Sequence, residues 1–169
     1  MENKKFYQRA LLVLLLIISL AFATACGQTK ESNTICNKAG LGDKLTDFEN
    51  TYGKMKKIDD TLVSFASDKI SIIPIEDIAY HVTVKIDSSD KLSIEKIKDF
   101  LPKDMKIIKE YSEDQFNDGN VRYITVGESE LLKTSFPKDE GKFVIIQRIY
   151  KNTSSGDYNN FVIGTGTNP

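Results

Sequence analysis

The chain has no tryptophan and a single histidine, His81, among its 169 residues. No cysteine or second histidine stands at ligand spacing from His81, so a zinc site is poorly supported. No Gly-x-Ser-x-Gly elbow, His-Glu-x-x-His helix or Walker-type loop occurs, and one imidazole completes no nucleophile–base pair. Carboxylate-based hydrolysis needs no histidine and is the enzymatic route that composition leaves open. Charge of one sign is also missing: 23 basic residues face 24 acidic ones, and the basic residues are scattered. That balance lacks the electrostatic footprint of a nucleic-acid binder. There is no long low-complexity segment, and the longest uncharged apolar run is shorter than the roughly 20 residues a membrane-spanning helix needs.

That run is the most informative stretch present. Lys4, Lys5 and Arg9 precede an apolar segment from Ala10 to Ala25, which ends on small residues. A basic head, an apolar run and a small-residue exit predict an export signal over residues 1–25. At its end, Ala23-Thr24-Ala25-Cys26-Gly27 resembles the lipobox of bacterial lipoprotein signal peptides. It departs from the usual pattern at Ala23, where Leu is commonest. The resemblance implies cleavage before Cys26 and lipidation of its thiol, with membrane anchoring on the extracytoplasmic face. Each buried CH₂ contributes about 0.8 kcal/mol, and two or more chains are needed for stable anchoring. Ala23-Thr24-Ala25 also fits ordinary signal peptidase, which would instead release a secreted protein.

Beyond residue 25 the chain is long enough for one compact domain or two very small subdomains. Residues 1–25 hold three basic groups and one acidic, so the remainder carries 20 against 23, about −3. With one of the two cysteines committed to lipid, Cys36 is a lone thiol with no intramolecular disulfide partner. It lies in a polar stretch without helical or strand period. Residues 26–40 are therefore expected to form a flexible tether, with Cys36 as an exposed thiol and the fold beginning at Leu41.

Periodicity then predicts the elements. Leu45, Phe48 and Tyr52 share one helical face, with Asp43 as N-cap and Gly53 as stop. Residues 61–66 and 69–73 read as strands around a Ser67-Asp68 turn, and Pro74 ends the second or marks an edge. Residues 79–86 alternate, with Tyr80, Val82, Val84 and Ile86 opposite His81, Thr83 and Lys85. A second helix is expected from Ser93, with Ile94, Ile97 and Leu101 as its buried stripe and Pro102 as its stop. Strands at 105–111 and 121–126, a short helix at 128–134, a doubly buried strand at 142–150 and a last strand from Phe161 complete the pattern. Gly164 to Pro169 reads as a terminal turn.

The two predicted helices superpose at an offset of 49, placing Leu45 on Ile94, Phe48 on Ile97 and Tyr52 on Leu101. Identity is nearly absent, so the repeat is an expectation about topology. Gly42, Phe48, Tyr52 and Gly53, with Ser93, Ile97 and Leu101 in the second copy, resemble the signature of a small helix-plus-sheet repeat. That repeat is shared by β-lactamase-inhibitor-like proteins and outer-membrane-assembly lipoproteins. Lys44, Met55 and Pro102 depart from it. The resemblance implies helices laid on a continuous antiparallel sheet whose other face binds a protein, without chemistry.

Two acidic loops carry oxygen ligands of the kind calcium takes. The segment from Glu113 to Asn120 lacks the spacing of a calcium loop and suits a hairpin turn, and Asp87 to Asp90 reads as a turn. His81 reads as a solvent- or partner-facing strand residue. Phe65, Tyr80, Tyr111, Tyr123, Phe143 and Tyr150 sit on strands, where they are core or, if exposed, a binding face.

The expected fold is α+β: two amphipathic helices on a mainly antiparallel sheet, with 41–90 and 91–169 as candidate tandem units. The expected function is a lipid-anchored, non-catalytic binding or assembly module for an envelope protein, without metal or cofactor and without nucleic acid. The alternative is a small-ligand-binding lipoprotein, such as a transporter accessory or a cell-wall sensor. A deep pocket would mark the alternative, and an exposed sheet face the first reading.

Overall fold

The computed structural model describes residues 34–86, 92–114, 121–149 and 160–167. The leader, Cys26, Tyr150, the Asp87–Asp90 turn and most of the Glu113–Asn120 loop lie outside the described residues.

Alternating and β-branched runs build one open antiparallel sheet, which makes the fold α+β with strands predominating. Helix α1 (Leu45–Tyr52) is followed by β1 (Lys56–Lys57), β2 (Val63–Phe65), β3 (Ile70–Ile75) and β4 (Ile78–Lys85). Two 3₁₀ turns, Ile94–Lys96 and Lys98–Phe100, precede β5 (Lys106–Glu113) and β6 (Val121–Glu128). Helix α2 (Glu130–Ser135) and a further 3₁₀ turn (Pro137–Asp139) lead to β7 (Lys142–Ile149) and β8 (Asn160–Thr165). The sheet order is β1-β2-β3-β4-β8-β7-β6-β5. It consists of two four-strand meanders whose last strands pair antiparallel, Val82 opposite Ile163 and Val84 opposite Phe161.

The period of two sorts side chains between faces. One face carries Val63, Phe65, Ile72, Val82, Ile163 and Ile145, in a single cluster with Leu45 and Phe48 of α1, Ile97 and Leu101, and Leu132 of α2. Fully burying a side chain such as Phe48 contributes about 1.5–3 kcal/mol. The other face carries a second cluster: Ile124, Val144 and Ile146, with Tyr111, Val126 and Val162 packed against them. Among the described residues, none of a helical segment belongs to it. Phe143 through Ile146 are all buried, so the doubly buried strand is as its composition predicts.

Several expectations are corrected. The packed unit begins at Thr34, not Leu41. Cys36 and Ala39 are 0 % exposed, so residues 34–40 belong to the fold and Cys36 is no exposed thiol. Asp43 does not cap α1. Its carboxylate accepts the N–H groups of Ile35, Cys36 and Gly40 and pins the entering chain. The cap position is Lys44, whose N–H donates to Asp47 at 3.3 Å. Gly53 ends α1 as expected, at φ 90°, where a Cβ would be strained.

The second helix is not an α-helix in the described residues. The stretch is short, nucleation is costly, and Ile94 and Ile97 are β-branched. Pro102 holds Leu101 extended (φ −105°, ψ 149°). The Phe100 carbonyl accepts from Leu41 N–H at 3.0 Å, which favours ending the helical turn there. Of the two readings of Pro74, termination fails, since β3 runs on to Ile75, and the edge holds. Pro74 sits at a bulge, in the part of β3 beyond its pairing with β2, where a missing N–H is tolerated. Gly164 and Thr165 belong to β8 instead of a terminal turn, paired with Val144 and Phe143.

Candidate functional site

Two surfaces stand out, one on each face of the sheet. On the helix-bearing face, α1 fills the space above the first meander, with Phe48 packed on Phe65 at 5.6 Å between ring centroids. The 3₁₀ turns do not fill the corresponding space above the second. Phe100 stacks on Tyr52 at 5.4 Å, drawing the aromatic of that segment towards α1. A cleft of about 420 Å³ remains between Leu92–Ile94 and strands β5 to β8.

Strand register builds its floor in two rows. One runs Ser112, Tyr123, Gln147, Phe161, and the other runs Glu110, Thr125, Ile145, Ile163. Burial deepens inwards: Glu110 and Ser112 are exposed, Tyr123 and Thr125 half-buried, and Ile145, Gln147 and Phe161 only 2–4 % exposed. The Gln147 side-chain oxygen accepts the Leu92 N–H at 3.2 Å, a bond that ties the roof to the floor across 55 residues of sequence. The Thr125 hydroxyl donates to Glu110 at 3.2 Å. Among the described lining residues, Glu110 carries the only charge.

On the opposite face, rows cross the sheet through the same register. Tyr111, Ile124, Ile146, Val162 and Thr83 form an apolar row. Beside it runs Glu113, Arg122, Arg148, Asn160 and Lys85, in which Arg122 binds Glu113 at 2.8 Å. Ile124, Val144 and Ile146 are 1–4 % exposed, and the accessible layer consists of half-buried Tyr111, Val126, Val162, Thr83, His81 and Arg148.

His81 lies at the end of this face, flat across Gly164: a Cβ there would stand 2.5 Å from the imidazole. Tyr80 stacks on it at 5.0 Å next to the β3–β4 bulge. Burial lowers its pKa, so the ring favours the neutral form. Phe143 covers Gly127 in the same way on the helix-bearing face. Of the expected strand aromatics, Phe65 and Phe143 are core, while Tyr80, Tyr111 and Tyr123 are half-buried.

The buried polar centre at Cys36 and Asp43 was not foreseen. Cys36 Sγ donates to the Leu41 carbonyl at 3.4 Å. Burial first, and then the neighbouring Asp43 carboxylate, push the thiol pKa far up, so it is an inert neutral group. Burial also raises the Asp43 pKa, against the pull of its three N–H donors. Among the described residues no group of three or more His, Cys, Asp or Glu side chains is placed to hold a metal. No described helix is long and apolar enough to cross a membrane. Comparison with protein-family models, curated proteins and solved structures finds no match for this chain.

Proposed function

We infer that this protein is a lipid-anchored extracytoplasmic binding module, held to the membrane through Cys26, that docks an envelope protein without performing chemistry. The observation that carries the docking reading is the segregation of the helices. Every described helix that enters a core cluster packs on one sheet face, and among the described residues the apolar cluster on the other face is built from strands alone. Its half-buried layer of Tyr111, Val126 and Val162, bordered by Arg122 and Arg148, offers a partner apolar contact with a polar rim.

The finer fold reading belongs to the same proposal. Residues 41–90 and 91–169 are two tandem units, each a helical segment followed by a four-strand meander, with α2 inserted in the second. At the offset of 49, Phe48 and Ile97 are both buried, while Ile94, the counterpart of Leu45, and Tyr52, the counterpart of Leu101, are half-buried. The leader and the Ala23–Gly27 motif support the anchor.

The test is crosslinking in native membranes followed by mass spectrometry. One envelope protein, recovered from wild type and lost from a folded Val162→Glu variant, is the expected result. Recovery that Val162→Glu does not change removes the docking face. A second reading, a small-ligand-binding lipoprotein, is favoured by the cleft on the helix-bearing face.

A further inference from the structure

We propose that the cleft between Leu92–Ile94 and strands β5–β8 binds a small amphipathic amine, apolar end inwards and ammonium group at Glu110. The inference rests on the small-ligand reading and is independent of the docking face. Its grounds are the gradient of polarity along the cleft. The inner end is closed by Ile145, Phe161 and Gln147, whose side-chain oxygen is taken by the Leu92 N–H. Half-buried Leu92 and Ile94 roof it, and the surface is predominantly apolar, which favours an alkyl or aryl group. The mouth carries the single charge among the described lining residues, and it is negative.

Glu110 is also held in place. The Thr125 hydroxyl from the floor donates to one of its oxygens at 3.2 Å, and the second, which accepts no hydrogen bond from the described residues, can accept from a ligand. No Lys, Arg or His is among the described lining residues, so an anionic group entering the cleft would meet only the Glu110 charge. The volume, about 420 Å³, lies within the range of small-molecule sites. The Leu92–Gln147 bond holds the roof at a fixed height over the floor, so the cleft is preformed.

Three probes of one shape separate the possibilities: phenethylamine, phenethyl alcohol and hydrocinnamate, carrying positive, zero and negative charge. Each is titrated into the intact chain in nanodiscs, with methyl labels read at Ile94 and Ile145. Phenethylamine should shift both methyls saturably and bind about fivefold more tightly than the alcohol, the worth of one exposed ionic contact. Hydrocinnamate should bind most weakly. Glu110→Gln should erase the preference for the amine while leaving alcohol binding in place. Thr125→Phe, which fills the floor, should abolish all three titrations while the methyl signals remote from the cleft stay put.

Equal binding of the three probes, tighter binding of hydrocinnamate, or an amine preference that survives Glu110→Gln overturns the amine proposal and leaves a small-ligand site. Saturable shifts by none of them, or shifts that persist in folded Thr125→Phe, remove the cleft as a ligand site altogether.

Discussion

Replacing Asp43 by alanine tests how the entering chain is fastened to the sheet. The side chain is 3 % exposed, and its carboxylate accepts three backbone N–H groups, from Ile35, Cys36 and Gly40. The alanine variant leaves those donors without their acceptor. A buried donor left unsatisfied costs about 1–3 kcal/mol. The bonds to Cys36 and Gly40 are buried and should carry this in full, whereas the Ile35 donor is only partly buried and can recover a bond to water. Removing a carboxylate whose own burial is unfavourable returns part of the loss. The net expectation is a destabilisation of about 3 kcal/mol, a large share of the ~5–15 kcal/mol that a domain of this kind holds.

Urea unfolding followed by far-UV circular dichroism measures this difference, with the slope m unchanged if only stability is altered. Hydrogen exchange adds a local readout, since the amides of Ile35, Cys36 and Gly40 should lose protection before the strands do. Asp43→Asn keeps one acceptor oxygen and should fall between. A loss below about 1 kcal/mol, with the three amides still protected, would refute the reasoning that this carboxylate fastens residues 34–40.

Four further outcomes follow from the same geometry. Gly127→Ala places a Cβ 2.4 Å from the ring of fully buried Phe143 and should cost about 3 kcal/mol, whereas at Gly164 the half-buried His81 ring can swing aside and the cost should be about 1 kcal/mol. Equal costs in urea unfolding would contradict this, and His81→Ala should relieve the Gly164→Ala loss. Partial burial raises the Asp104 pKa, but bonds from Ser129 and the Leu131 N–H outweigh it and leave it below the ordinary carboxylate value. The folded state then binds fewer protons than the unfolded one. The stability advantage of wild type over Asp104→Asn should therefore be full above about pH 4 and vanish as pH falls through the lower folded pKa; an advantage that persists at low pH refutes it. In a Cys26→Ser chain, Cys36 should resist a thiol reagent until urea unfolds the protein, because it is buried and neutral. Fatty-acid labelling of cells should mark wild type and leave Cys26→Ser unmarked, and an unlabelled wild type would remove the anchor.

The strands with their own period were legible. In β4, Val82 and Val84 alternate with Thr83 and Lys85, and the apolar run Phe143–Ile146 announced a strand buried on both faces. Strand β1, only Lys56–Lys57, carries no apolar residue at all and forms through pairing with Ser64 and Val63. The Cys36–Asp43 centre was hidden because Asn37 and Lys38 give that stretch a loop composition, while its cohesion comes from one side chain gathering three backbone donors. At Ile94–Leu101 the apolar spacing picked out Ile97 and Leu101, which are buried, and Ile94, which is only half-buried, but spacing does not register that Pro102 and the Leu41 N–H together end the turn. The cleft had one trace in the sequence, Gln147 interrupting an apolar strand. Its partner, the Leu92 amide, is set by topology alone.

The central claim is that the strand-only face docks a protein while the helix-bearing face serves the core and the cleft. Photo-crosslinking residues placed at Thr83 and Val126 on the first, and at exposed Asn50 of α1 on the second, test it most directly in living cells. One shared adduct of a single mass is expected from Thr83 and Val126, and none from Asn50. The same adduct from all three positions, or adducts from Asn50 alone, would contradict it.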